Sequence, residues 1–324
     1  MSPRAILEHD VVRWLRTELA RRTGHRVVSV ERRPHPYRTS FPLEEVDVVL
    51  DDGARVAMVF KDLRFDGLDR RARQAKDSRH DPRREMEAYR LLEGAGLDTP
   101  RLFGETSAPG EDRHWLLIER IPGVPLWQIG NWRVWRAAAA WLATMHRRFR
   151  RLKPRPGSSM LLYDGAWARD AMRRALQHAS GQSRKTLLDV ESGFRPVVDW
   201  LDRVPTTLVH GDFHASNVLV DVTRTPPRIA PADWELAGIG PGLLDLASLT
   251  AGRWSAPDRD AVVSAYASSA HRAIDGEFLA DLERCRLLNA LSLLAVGPDW
   301  RSPPEHQHDW LGVATTAAER LGVI

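Results

Sequence analysis

Residues 208–235, LVHGDFHASNVLVDVTRTPPRIAPADWE, constrain this chain more than any other stretch. Their centre, 223–227, is crowded with turn-forming residues. β-rich runs at 218–222 and 228–232 flank it, so the segment reads as an antiparallel hairpin. Asn217 and Asp233 each lie eight positions from Thr225, and in such a hairpin both emerge at its open end. Asp212, five residues before Asn217, sits in the loop that feeds the first strand. Two carboxylates and an amide oxygen therefore converge through local chain geometry alone. Hard oxygen donors of this kind suit Mg²⁺, which binds few protein groups and keeps positions for phosphate oxygens.

The order His210-Gly211-Asp212, four residues, Asn217 and then a distal Asp fits phosphoryl transfer. One Asp orients an acceptor hydroxyl and takes its proton, while the Asn and second Asp hold the metal on the nucleotide phosphates. Here the sequence resembles the aminoglycoside phosphotransferase and choline kinase family, relatives of the protein kinases. Three motifs in the family's order carry the resemblance: HGDFHASN at 210–217, Asp233-Trp234-Glu235, and Gly240-Pro241-Gly242 with Asp245-Leu246-Ala247. The resemblance implies Asp212 as catalytic base and Asn217 and Asp233 as Mg²⁺ ligands, with Glu235 as a helper. It also implies that His210 supports the loop, that Asp245 is a structural anchor, and that ATP or GTP donates the phosphate.

The N-terminal half is tested against that reading. A kinase-like lobe needs a strand lysine for the α/β-phosphates and a helical glutamate to hold it. VAMVFK at 56–61 supplies an apolar strand ending in Lys61, and RREMEAYRLL offers Glu85 or Glu87. Glu85 is the choice, because Arg-Glu-x₃-Tyr-x-Leu-Leu is similar to the family's helix. Residues 117–121 resemble the connector whose backbone meets adenine, with Glu119 and Ile121 nearest. The segment 32–45 departs from a kinase pattern, because it has no glycine where a Gly-rich loop would cover the phosphates. Related families use a serine-bearing loop instead, which makes Thr39 and Ser40 the expected phosphate donors. The resemblance covers roughly residues 25–250.

The rest of the chain fits two lobes. Periodicity predicts helices at 6–22 and 81–94, the latter with Asp81 capping and Pro82 in its first position. Strands are expected at 27–31, 43–50, 55–60 and 114–121, and helices at 132–149, 166–179, 186–204 and from 243 onward. Residues 1–157 hold 31 basic and 22 acidic side chains, a net of +9, and residues 158–324 hold 16 and 21, a net of −5. The acidic half favours a cationic acceptor. The arginine runs at 70–73 and 147–151 lack interleaved aromatics and a reading motif, which excludes nucleic acid as a partner. The longest apolar stretch, 287–296, is about half of the ~20 residues that a membrane span needs. MSPRAILEHD lacks the apolar core of a secretory signal, so a cytoplasmic location is expected. His210 and His214 share the spacing of a helical zinc pair, but Gly211 opposes a helix and the general-base glutamate is absent.

The expected architecture is thus α+β: a two-lobed protein-kinase-like fold with a small antiparallel β-sheet and one key helix in the N-lobe. Residues 1–121 form the nucleotide-binding lobe. Residues 122–324 form a mainly helical lobe with a β-hairpin at the active site, the catalytic loop and the acceptor site. The expected function is transfer of the ATP or GTP γ-phosphate to a hydroxyl of a small acceptor, such as an aminoglycoside or another amino-sugar. A nucleotide-binding regulatory module without turnover, or a kinase for a simple sugar, amino alcohol or protein, is the alternative. The sequence does not specify an oligomeric state.

Overall fold

Val46, Val48 and Leu50 are buried and alternate with half-buried neighbours, the period-two pattern of a strand with one face on a core. In the computed structural model, which describes residues 3–36, 41–64, 80–108, 113–296 and 308–324, this strand is part of one antiparallel sheet. Its members are β1 (Val27–Pro34), β2 (Leu43–Leu50), β3 (Arg55–Asp62), β4 (Leu102–Ala108) and β5 (Arg113–Glu119), in the order β1-β2-β3-β5-β4. Helix α1 (Pro3–Thr23) lays Val11, Leu15 and Leu19 against Val46, Met58, Phe60 and Phe103. Trp14 sets its ring edge-on to Phe60 and Trp115, at 6.2 and 5.5 Å between centroids. Each such fully buried aliphatic side chain contributes about 1.5–3 kcal/mol.

Strand β4 is an addition to the sequence reading. LFGETSA has little apolar alternation, and pairing with β5 makes it a strand. Helix α2 (Arg83–Gly94) starts one residue later than expected, with Pro82 at its N-cap position. Asp81 nevertheless accepts the Arg83 amide at 2.9 Å, so its capping role shifts without being lost.

Glu105 on β4 is poorly matched to its surroundings. Its Oε1 accepts a bond from Arg90 at 2.6 Å, while its buried Oε2 has no hydrogen-bond partner. Burial is the largest influence and holds this carboxyl above its ordinary value, against the pull of Arg90. A carboxyl raised on folding erodes stability as pH climbs from its unfolded value through its folded one. Glu105→Gln is therefore expected to stabilise the protein at pH 7 by roughly 0.5 kcal/mol, after discounting for solvent screening. The gain should vanish near pH 4, as urea melts at both pH values would register.

The chain divides into two compact units, Met1–Pro122 and Gly123–Ile324. The second is built on helix α3 (Trp132–Arg148), whose Ala138, Ala139, Leu142 and Ala143 are fully buried. Asn131 caps it by accepting the Arg133 amide at 3.0 Å. Helices α4 (Gly165–His178), α5 (Gly181–Ser192) and α6 (Arg195–Leu201) follow. The single helix expected at 186–204 is two helices, broken at Gly193 and Phe194. Helices α7 (Leu243–Leu249), α8 (Ala256–Ala270), α9 (Gly276–Leu294) and α10 (Trp310–Arg320) complete the unit. Two small sheets interrupt the helices. One has the order β10-β9-β6 (Arg228–Pro231, Val218–Asp221 and Val124–Pro125). The other has the order β7-β11-β8 (Leu161–Leu162, Gly238–Gly240 and Thr207–Val209). Among the described residues no helix is long and apolar enough to cross a membrane.

Candidate active site

In the first unit, β3 sends Met58 and Phe60 into the core that α1 covers, so Lys61 points to the opposite face. There Glu85, in the first turn of α2, meets it. Lys61 Nζ donates to Glu85 Oε1 at 2.8 Å and to Oε2 at 2.7 Å, and the two residues are 5% and 2% exposed. A buried ion pair with both carboxylate oxygens engaged is costly to assemble and more costly to break. Glu85, rather than Glu87, is thus the partner of Lys61 in the structure. Glu119 closes β5, its amide donating to Arg101 O at 2.8 Å and its carboxylate accepting the Arg101 amide at 3.1 Å. The Arg120 amide donates to Ala57 O at 3.0 Å, and Ile121 is buried just beyond. Thr39 and Ser40 lie outside the described residues.

The second unit places the HGDFHASN motif, residues 210–217, on a buried support. Asp245, at the start of α7 and 1% exposed, accepts the His210 amide through Oδ2 at 2.7 Å and the Gly211 amide through Oδ1 at 2.9 Å. His146 Nε2 lies 3.2 Å from the same Asp245 Oδ2, and its Nδ1 is 2.8 Å from the Tyr266 hydroxyl. His146, in the last turn of α3, is buried and links α3, α7 and α8. Gly211 has φ +81°, and a Cβ there would fall 2.1 Å from the Tyr163 hydroxyl and 2.3 Å from Leu236 O. Only glycine fits that backbone and that space.

His210 is fully buried, with its ring 4.4 Å from that of Trp234. Its Nε2 donates to Ala232 O at 2.9 Å, and its Nδ1 accepts the Asp212 amide at 3.3 Å. The histidine therefore ties the loop to the residue preceding Asp233. Asn217 Nδ2 donates to both Asp212 O and Asp212 Oδ2, each at 2.9 Å. The other oxygen, Asp212 Oδ1, stands 3.2 Å from His214 Nε2. Burial, reinforced by the His308 and His210 rings, pushes the His214 imidazole down to about 4. Near pH 7 it is neutral and offers Asp212 a hydrogen bond, not a countercharge. Residue spacing pointed to a zinc pair or nothing for His214; its place beside Asp212 depends on the loop's curl.

The hairpin register pairs Val218 with Pro231 and Asp221 with Arg228. The Ala232 amide donates to Asn217 O at 2.8 Å, so Asn217 faces Ala232 and Asp233 falls one step further along than a hairpin centred on Thr225 would give. Asp233 takes the left-handed conformation, φ 66° and ψ 61°, a strained backbone for a residue with a side chain. It turns the chain into the 3₁₀ turn Trp234–Leu236, which carries the half-buried Glu235. Among the described residues no three His, Cys, Asp or Glu side chains gather as a metal cluster. The oxygen donors present still fit a hard cation that binds few protein groups. Asn217 commits its nitrogen to Asp212, which turns its amide oxygen away from that carboxylate.

A five-stranded antiparallel sheet bearing a Lys–Glu pair, joined to a helical unit whose hairpin follows an Asp-x₄-Asn loop, defines a protein-kinase-like fold. The model of the APH family, described as the phosphotransferase enzyme family, matches residues 48–310, and the chain belongs to that family. It is similar in structure to a microcompartment-associated aminopropanol kinase (15% identity, 90% of each chain covered, TM-score 0.57). It is also similar to LicA, a choline kinase of Streptococcus pneumoniae (14% identity, 97% of this chain and 100% of that one, TM-score 0.57), which is known in complex with AMP. A protein of Ralstonia eutropha assigned as an aminoglycoside phosphotransferase matches at 15% identity, 96% of each chain and a TM-score of 0.59. No curated protein matches the sequence.

Proposed function

We propose that this phosphotransferase is a small-molecule kinase that moves the γ-phosphoryl group of ATP, or of GTP, to a hydroxyl. The observation that carries the reading is the Asp212 carboxylate, with Asn217 Nδ2 on one oxygen and His214 Nε2 beside the other. A carboxylate so aimed is suited to a general base, whose efficiency depends on fixed orientation. Asp212 takes the proton of the acceptor hydroxyl, the freed oxygen bonds to the γ-phosphorus, and the β–γ bridging P–O bond breaks to release the nucleoside diphosphate. Asn217 and Asp233 would hold Mg²⁺, with Glu235 nearby; when bound, the ion offsets the charge of the phosphate oxygens. Lys61, aligned by Glu85, meets the α/β-phosphates. The backbone by Glu119 and Ile121 meets adenine, and because the Glu119 and Arg120 amides already donate elsewhere, Ile121 is favoured. His210 holds the loop and does not touch substrate. A nucleotide-dependent reaction of this kind suits the cytoplasm.

The acidic charge balance of residues 158–324 favours an amino-sugar or aminoglycoside acceptor, and resistance to such an antibiotic would follow from its phosphorylation. The test is an ADP-release assay with ATP and Mg²⁺ across amino-sugars, macrolides, simple sugars, amino alcohols and hydroxy acids. Acceptor-dependent ADP release is expected. ATP-dependent thermal stabilisation with no turnover for any acceptor would leave a regulatory module instead, and no stabilisation at all would end the kinase reading.

His214 supplies a further expectation. His214→Ala should lower kcat roughly tenfold, the usual scale for a lost orienting hydrogen bond of ~1.4 kcal/mol, with KM for ATP unchanged. His214→Gln, which keeps an Nε2–H donor at similar reach, should recover most of that loss. Equal kcat in wild type and His214→Ala would show that Asn217 alone orients the base.

A further inference from the structure

Residues from four helices of the second unit enclose a cleft of about 360 Å³, within the size range of small-ligand sites. Its walls carry three guanidinium groups: Arg259 from α8, Arg286 from α9 and Arg320 from α10. Glu283 alone bridges two of them, its Oε1 accepting from Arg286 at 2.6 Å and from Arg320 at 2.8 Å. The other carboxylate on the wall, Asp309, already accepts the Gly312 amide at 2.8 Å as the cap of α10. Arg259 donates to Gly252 O at 3.2 Å, while its buried Nε has no hydrogen-bond partner. Burial and the positive charge of Arg286 and Arg320 both act against the Arg259 cation. Three guanidiniums with a buried donor unspent make a costly arrangement unless an anion completes it, and a guanidinium fork matches a carboxylate or phosphate.

Two wall residues connect the cleft to the loop at 210–217. Trp310 lines it, and the Trp310 ring centroid is 6.4 Å from that of His214, the histidine beside Asp212. Thr250 lines it too, at the end of the helix whose Asp245 holds the His210 and Gly211 amides. The five helical steps from Asp245 to Thr250 rise about 7.5 Å.

From these observations we infer that the cleft is the oxyanion subsite of the acceptor, so that the molecule phosphorylated here carries a carboxylate or phosphate group as well as its reacting hydroxyl. This rests on the kinase reading above, and it replaces the cationic acceptor favoured by bulk charge. Local charge decides, because the cleft wall itself sets three arginines against two carboxylates.

The test has two parts, both on the full chain. Isothermal titration with inorganic phosphate, at ionic strength fixed with chloride, should show binding that Arg286→Gln weakens at least tenfold. Arg286→Lys should recover only part of it, having charge without the fork. Glu283→Gln should tighten it severalfold, a direction that misfolding does not produce. Phosphate affinity indifferent to all three substitutions would overturn the subsite. In the transfer assay, glycerate and glucose 6-phosphate, representing the two oxyanions, are compared with choline and glucosamine. Turnover of an anionic acceptor is expected, with its KM raised tenfold or more by Arg286→Gln and the KM for ATP kept within twofold. Turnover confined to choline or glucosamine, with KM unmoved by Arg286→Gln, would overturn the proposal. Arg286-dependent phosphate binding in a chain that neither binds ATP nor transfers phosphate would instead remove the kinase reading, and the acceptor role with it.

Discussion

Asp212→Ala is expected to lower kcat by about 10²–10⁴-fold, the range that a positioned general base contributes, while ATP affinity stays within a few fold. The carboxylate is the group that the loop is arranged to present. Asn217 and His214 flank its two oxygens, and neither contact is needed to hold the backbone, which Asp245 secures through the amides of His210 and Gly211. Asp212 is about a third exposed, so its truncation leaves no cavity, and the melting temperature should move little. Asp212→Asn is the sharper variant, because it preserves volume and one acceptor oxygen but is not a base. It should be as inactive as the alanine variant. Single-turnover kinetics with saturating ATP would separate chemistry from product release, and residual transfer above a tenth of wild type would remove Asp212 as the base.

What the sequence made legible divides along physical lines. The hairpin and its flanking Asp-x₄-Asn loop were readable because turn residues and β-rich runs are local, and local geometry alone brings Asn217 to Asp212. The register was off by one: counting from Thr225 assumes symmetry, whereas ladder pairs sum about a point between Arg224 and Thr225. The choice between Glu85 and Glu87 needed the helix to be placed. Residues two apart lie about 200° apart around an α-helix, so only one can face Lys61. Strand β4 and the break at Gly193 were missed because tertiary pairing and packing decide them over weak local preference. His146, His214 and Trp310 reach their partners across 99, 2 and 96 positions respectively. Of these, only the short His214 link left a trace in the motif, and there the zinc spacing competed with it. The arginine cleft was invisible because its members are scattered over 259–320 within a half whose summed charge is negative.

Lys61→Met should both unsettle the first unit and abolish turnover, and the two losses are separable. The ammonium and the Glu85 carboxylate are each nearly excluded from solvent and bonded through both oxygens at 2.7–2.8 Å. Removing the lysine takes the bidentate counter-charge from a buried carboxylate, a cost of roughly 3–5 kcal/mol, visible as a lower urea midpoint with an unchanged slope. Glu85→Gln should cost less, since an amide keeps an acceptor for the ammonium and carries no charge to strand. The double variant Lys61→Met with Glu85→Leu removes both charges and fills the space with apolar atoms. Replacements of that kind are often neutral or stabilising, so the urea midpoint should return near wild type. Activity should not return with it, because the phosphates would have lost their cation. Glu87→Gln, one step around the helix, should shift the midpoint by less than about 1 kcal/mol. If the double variant regained turnover together with stability, Lys61 would be a structural residue of the sheet and the phosphate role would fall. If it regained neither, the pair would be holding α2 in place in a way that apolar packing does not replace.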